Sequence, residues 1–227
     1  MGSLTLSKIN RLYWMGRYAE RVHTTLRFLM NYYDELIDGQ PKDHHEICRE
    51  LVIPDIYKDN EDFLKNFTFD PNNPNSMYVA ADRMLGNGMT LRETISSETL
   101  AYLQMAFNDL LSARNSSSPA LVVQKVLDDI MAFRGCFDDI IGDEGIRNVI
   151  KCGLRTELVS LCLRLGAPDE VCLKEITKLL NRVKKTPVRT RSLAYSQLLQ
   201  VAAAGDEGKL PENRTELVMA AENLIEI

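Results

Sequence analysis

The chain has 227 residues, of which 45% are hydrophobic and 26% charged, and a formal net charge of −5. That length buries an adequate core in one domain, residues 1–227, without disulfides or metals, and the composition excludes a disordered chain. The acidic balance argues against a nucleic-acid-binding face, and no apolar run reaches the roughly 20 residues of a membrane-spanning helix.

Met1–Asn10 lacks the basic flank, long apolar stretch and cleavage site of a signal peptide, so a cytoplasmic protein is expected. Five cysteines, Cys48, Cys136, Cys152, Cys162 and Cys172, are odd in number and never spaced C-x-x-C. They read as reduced small hydrophobes, and no metal or cofactor is expected. Lys178, Arg182, Lys184, Lys185, Arg189 and Arg191 form a local basic stretch, read as a solvated helix end and loop in preference to an anion-binding patch.

In chain order, the first element is a long helix. Leu12, Met15, Ala19, Val22, Leu26, Leu29, Tyr33 and Leu36 repeat at spacings of three and four, and Gly39 and Pro41 stop the helix near Asp38. A shorter helix is expected over about His44–Ile53. Residues 54–75 hold Phe63, Phe67 and Phe69 and end in Asp70-Pro-Asn-Asn-Pro-Asn, a turn-rich run read as an irregular insertion. Ser76–Gly86 predicts a short helix closed by Gly86-Asn-Gly88.

Thr90-Leu-Arg-Glu93 fits a capping box opening a helix to about Ala113. Ser118 and Pro119 start the next, which carries Val123, Val126, Ile130, Phe133, Phe137 and Ile140. Asp143 and Glu144 open a segment to Gly166, and Pro168-Asp-Glu170 opens another to about Val183. Two further helices are expected over Arg189–Ala203 and from Pro211 onward, separated by Gly205-Asp-Glu-Gly208. No alternating β-branched segment competes, so the fold expected is an all-α, single-domain bundle of about eight to ten helices with the first helix central.

Charges stand where a core is expected. Trp14, Tyr18 and Phe28 share a second line of the first helix with Arg21 and Thr25, so the helix is apolar on several sides. Gly16, Glu20, His23 and Arg27 lie beside the seam. Burying such charges costs several kcal/mol apiece, on the order of the desolvation penalty, unless partners arrive from other helices.

A later segment echoes this pattern: Gly16, Glu20 and Arg27 superpose on Gly153, Glu157 and Arg164, and Leu12, Met15, Val22 and Leu26 on Val149, Cys152, Val159 and Leu163. In the second copy Leu158 replaces Arg21 and Ser160 replaces His23. Two origins account for the echo, an internal duplication or two amphipathic helices with similar spacing. A third constellation follows Thr90: Leu91, Ile95, Tyr102 and Met105 form a seam with Glu98 at a core position, and Arg92 and Glu93 stand one turn earlier. Glu98 is the candidate partner for Arg21 or Arg27.

Leu12-Tyr-Trp-Met-Gly-Arg-Tyr-Ala-Glu20-Arg21, continuing to Arg27, resembles the signature of the Alpha-E family, a bacterial α-helical domain named for its Glu-Arg motif. Arg92-Glu-Thr-Ile-Ser-Ser-Glu98 resembles the family's second motif, and Gly153–Arg164 its later Glu-containing helix, departing from it at Leu158. The resemblance implies occurrence beside or fused to ATP-grasp ligase-like proteins and transglutaminase-like peptidases, hence a peptide ligation or modification system.

Three readings of Glu20, Arg21, Arg27, Arg92, Glu93, Glu98, Glu157 and Arg164 follow. They are interhelical ion pairs that set register, a groove in which Arg21 and Arg27 take a peptide or amino-acid carboxylate while Glu20 or Glu98 takes an amine, or an acid–base centre on Glu20 and Glu98. Glu20-x-x-His23 matches half of a di-metal motif, but Ser160 stands where the echo would need the second histidine. No Gly-rich phosphate loop is present, because Gly86-Asn-Gly88 is short and follows a helix.

Overall fold

The computed structural model describes residues 4–39, 41–116, 118–203 and 209–226. Among these the chain is all-α, with eleven helices, no strand, and one isolated antiparallel bridge between Thr190 and Ile225. No helix among the described residues is long and apolar enough to cross a membrane. Contacts gather into two compact units, one combining Met1–Glu20 with Asp143–Ile227 and the other formed by Arg21–Gly142. Helix α1 (Leu6–Ile37) contributes its first half to one unit and its second half to the other.

In the first unit α1 is joined by α8 (Glu144–Arg164), α9 (Asp169–Val183), α10 (Ser192–Ala203) and α11 (Arg214–Glu222). Asp143 caps α8 by accepting from the Ile146 amide, and Gly166, at φ +66°, carries the chain out of it. The repeat-aligned residues Leu12, Met15, Val149, Cys152 and Leu163 are all buried. So is nearly the whole circumference of α8, polar Asn148, Thr156, Glu157 and Ser160 included. The expected separator Gly205–Gly208 lies outside the described residues.

Glycine lets α1 and α8 cross at backbone contact. A Cβ on Gly16 would strike the Ile150 carbonyl oxygen and come within 3.2 Å of the Leu154 amide. One on Gly153 would strike the Tyr13 carbonyl oxygen and come within 3.1 Å of the Arg17 amide. The offset that lays Gly16 on Gly153 also lays Tyr13 on Ile150 and Arg17 on Leu154. The two helices therefore meet through equivalent positions about an approximate two-fold axis, an arrangement that favours duplication over coincidental spacing.

The second unit holds the rest of α1, α2 (His44–Leu51), α3 (Asn60–Phe69), α4 (Met77–Thr90), α5 (Arg92–Ile95), α6 (Ser97–Ala113) and α7 (Pro119–Ile140). Four local expectations change here. The seam of α1 turns inward at Tyr32, 1% exposed, and leaves Tyr33 outside at 45%. A 3.6-residue turn drifts off a strict three-and-four repeat over seven turns. The segment read as irregular contains α3, capped by Asp59, whose Phe63 and Phe67 pack with Tyr32 and Tyr57.

Gly86-Asn-Gly88 does not end α4; the helix runs through it to Thr90, and Gly88 sits where an added Cβ would strike the Leu103 side chain. Thr90 closes α4 and caps nothing after it. The backbone instead breaks at Ser96, at φ +76°, whose hydroxyl accepts from the Thr99 amide to open α6.

Candidate functional site

Arg17 stands one turn after Tyr13 and Trp14 on α1, so its guanidinium folds back over their rings. Its carbon lies 4.7 Å from the Trp14 centroid and 6.0 Å from that of Tyr13. The residue is 4% exposed. Its Nε donates to Oε2 of Glu157 at 2.7 Å, and Glu157 is itself 2% exposed. Burial works against the Arg17 charge, but the Glu157 carboxylate beside it more than compensates and holds its pKa above the ordinary arginine value. Burial pushes the Tyr13 phenol up to about 12, with Arg17 opposing the rise.

Glu222, near the end of α11, extends this pair into a chain. Its Oε1 accepts from the Ser160 hydroxyl at 2.7 Å and from Arg164 at 2.8 Å, and lies 3.7 Å from Arg17. The charges thus alternate from Glu157 through Arg17 and Glu222 to Arg164. The inner pair is dry, whereas the side chains of Arg164 and Glu222 keep 21% and 30% of their surface in water. An alternating chain of this kind neutralises its own buried charges and exposes one cation and one anion side by side.

Glu20 is also buried. It contributes to the upward push on the Cys162 thiol, to about 12, where burial is the largest cause. Burial likewise raises Cys152 to about 12 and Cys48 to about 11, so these thiols stay protonated and unreactive at neutral pH. All five cysteines are free.

The other residues singled out from sequence fall elsewhere. Arg21 is half-buried. Arg27, expected inside, is exposed: it sits just past the edge of the stripe that buries Val22, Leu26 and Leu29. Arg92, Glu93 and Glu98 are exposed as well. For Glu98 the break at Ser96 is the reason, since it re-phases α6 so that Thr99, Leu103, Ala106 and Leu110 face inward and Glu98 and Met105 turn to solvent.

Two members of the chain were missed. Arg17 had a readable signal, a cation one turn after two aromatics, while Glu222 had none, because its helix arrives from far along the sequence. Ser160 appeared only as a lost histidine and proves to be a donor to Glu222.

His23 is half-buried, and its pKa falls from 6.5 to about 4 through burial and the nearby Arg134 and Arg27 cations. Those guanidiniums oppose a metal ion as they oppose a proton, which weakens the Glu20-x-x-His23 metal motif. Because the folded value is depressed, the stability tied to neutral His23 is complete above pH 6.5 and drains as pH falls toward 4. We expect urea titrations to show on the order of 1–2 kcal/mol less stability at pH 4.5 than at pH 7, and His23→Gln to remove that share of the loss.

Neither a curated protein nor a solved structure matches the chain. Its sole Glu-Arg dipeptide is Glu20-Arg21, in α1 beside the glycine crossing. A family model described as a predicted alpha-helical domain with a conserved ER motif matches residues 6–204, and on that match the chain belongs to the Alpha-E family.

Proposed function

We propose that the chain is a non-catalytic binding or accessory domain of the bacterial cytoplasm, working with an ATP-grasp ligase-like or transglutaminase-like partner in peptide ligation or modification. The observation that carries this reading is the wet end of the ion-pair chain, where Arg164 and Glu222 stand 2.8 Å apart and partly exposed. A guanidinium beside a carboxylate is suited to the terminal carboxylate and amine of a peptide, or to complementary charges on a partner. The buried pair behind it, Arg17 with Glu157, holds that end in place. The acid–base reading has less support, since Glu98, one of its two carboxyls, is turned to solvent on α6.

The test is co-purification of the tagged chain with the ATP-grasp-like or transglutaminase-like protein encoded beside it. Wild type is expected to retain the partner, and Arg164→Glu and Glu222→Lys, each shown folded by circular dichroism, to weaken retention about tenfold or more. Retention unchanged in both variants, or no retention by wild type, overturns the reading.

A further inference from the structure

A second cluster of polar groups lies in the other unit, at the start of α2. Asn60 Oδ1 accepts the His44 backbone amide at 3.0 Å, which identifies that atom as the amide oxygen. The same oxygen lies 2.9 Å from His44 Nδ1, so Nδ1 carries the ring proton. The Nε2 lone pair of that ring is then left over. It is buried without a hydrogen-bond partner, in a residue 4% exposed, and Asp55 Oδ1 lies 3.9 Å from it. A buried lone pair and a partly exposed carboxylate oxygen thus face each other across a gap that a cation would bridge.

The neighbouring residues supply the rest of a cation site. The other Asp55 oxygen is 2.5 Å from His45 Nδ1, and the two imidazole rings are 4.0 Å apart. One donor atom each from Asp43, His44 and His45 also lie within 4.8 Å of one another. Asp43 is partly committed, because its Oδ1 caps α2 through the His45 amide. A backbone-anchored oxygen that fixes the tautomer of a histidine and leaves its second nitrogen free is the usual outer support of a metal-ligating imidazole.

We propose that His44 Nε2, His45 Nδ1 and the Asp55 carboxylate bind one divalent transition-metal ion of the zinc class, with Asp43 or water completing the shell. Two imidazoles and a carboxylate match the preference of such ions for nitrogen and oxygen donors. Bonds of about 2.0–2.2 Å place adjacent donors roughly 3.3 Å apart. The His44–Asp55 gap must therefore close slightly and the His45–Asp55 gap open. The side chains of His45 and Asp55 are 52% and 40% exposed, which leaves them room to move. Binding would fasten the segment after α2 to the first turn of that helix. Adjacent histidines at a helix start have no metal-binding spacing by themselves, and the carboxylate that completes them comes from beyond the helix.

Isothermal titration of the full chain with Zn2+, after chelator treatment and buffer exchange, tests the site. One equivalent is expected to bind saturably, and Asp55→Asn and His45→Gln to weaken it about tenfold or more while leaving the circular dichroism spectrum unchanged. Titration with Co2+ separates this site from cysteine binding: nitrogen and oxygen ligation yields visible bands without thiolate charge transfer. Absence of saturable binding, affinity unaffected by both substitutions, or a thiolate-type Co2+ spectrum each overturns the proposal.

Discussion

Alanine at Gly153 is expected to cost about 3 kcal/mol or more, enough to leave the first unit partly unfolded at physiological temperature. The added methyl would run into the Tyr13 carbonyl and the Arg17 amide, which are backbone atoms of a buried helix and cannot step aside as a side-chain tip would. Gly16→Ala meets Ile150 and Leu154 in the same way and should cost about as much. The double variant should lose less than the sum, because separating the helices once relieves both clashes. Gly135→Ala on α7 is the control: a Cβ there meets nothing within 4 Å, and alanine should stabilise that helix by about 0.5–1 kcal/mol. Urea unfolding read by far-ultraviolet circular dichroism measures all four, and a Gly153→Ala protein as stable as wild type would refute the close crossing.

Glu157→Ala is expected to lose about 3–5 kcal/mol, the cost of leaving the Arg17 guanidinium buried without its carboxylate. The ring face of Trp14 offsets a small part, since a cation–π contact contributes about 0.5–2 kcal/mol. Glu222→Gln should cost far less, about 1 kcal/mol, because that side chain is partly in water and Glu157 still holds Arg17. Replacing both inner partners, Arg17→Met with Glu157→Leu, should recover most of the stability lost by Glu157→Ala. The cycle of single and double variants in urea reads the coupling directly, and additive effects would mean that the two groups do not depend on each other.

Local rules made most of the helices legible. Asp143, Pro119 and the proline–acid start of α9 mark helix openings wherever they fall, because capping and the fixed proline φ act within one turn. The same rules misplaced the α4–α6 region. Thr90-x-x-Glu93 satisfies a capping pattern, yet α4 runs through Gly86-Asn-Gly88 and ends at Thr90, and the turn at Ser96 then sets the phase of every later residue of α6. One shift of phase moved Glu98 from an expected core position to solvent. That is why the Thr90 constellation dissolved while Glu20 and Glu157, on uninterrupted helices, were read as inward-facing.

Periodicity, caps and the repeated glycine–glutamate spacing determine by themselves that this chain is helical, that α1 and α8 share one residue pattern, and that each carries a carboxylate on its inner side. These are short-range properties, set by a 3.6-residue turn and by what one side chain does to its own backbone. Which group answers each buried charge was decided only in three dimensions. Glu157 meets Arg17, a residue the sequence had not singled out, and Glu222 arrives from α11 to join Arg164 and Ser160. Pairing across distant segments depends on how the helices cross, and that crossing is governed by the close approach at Gly16 and Gly153.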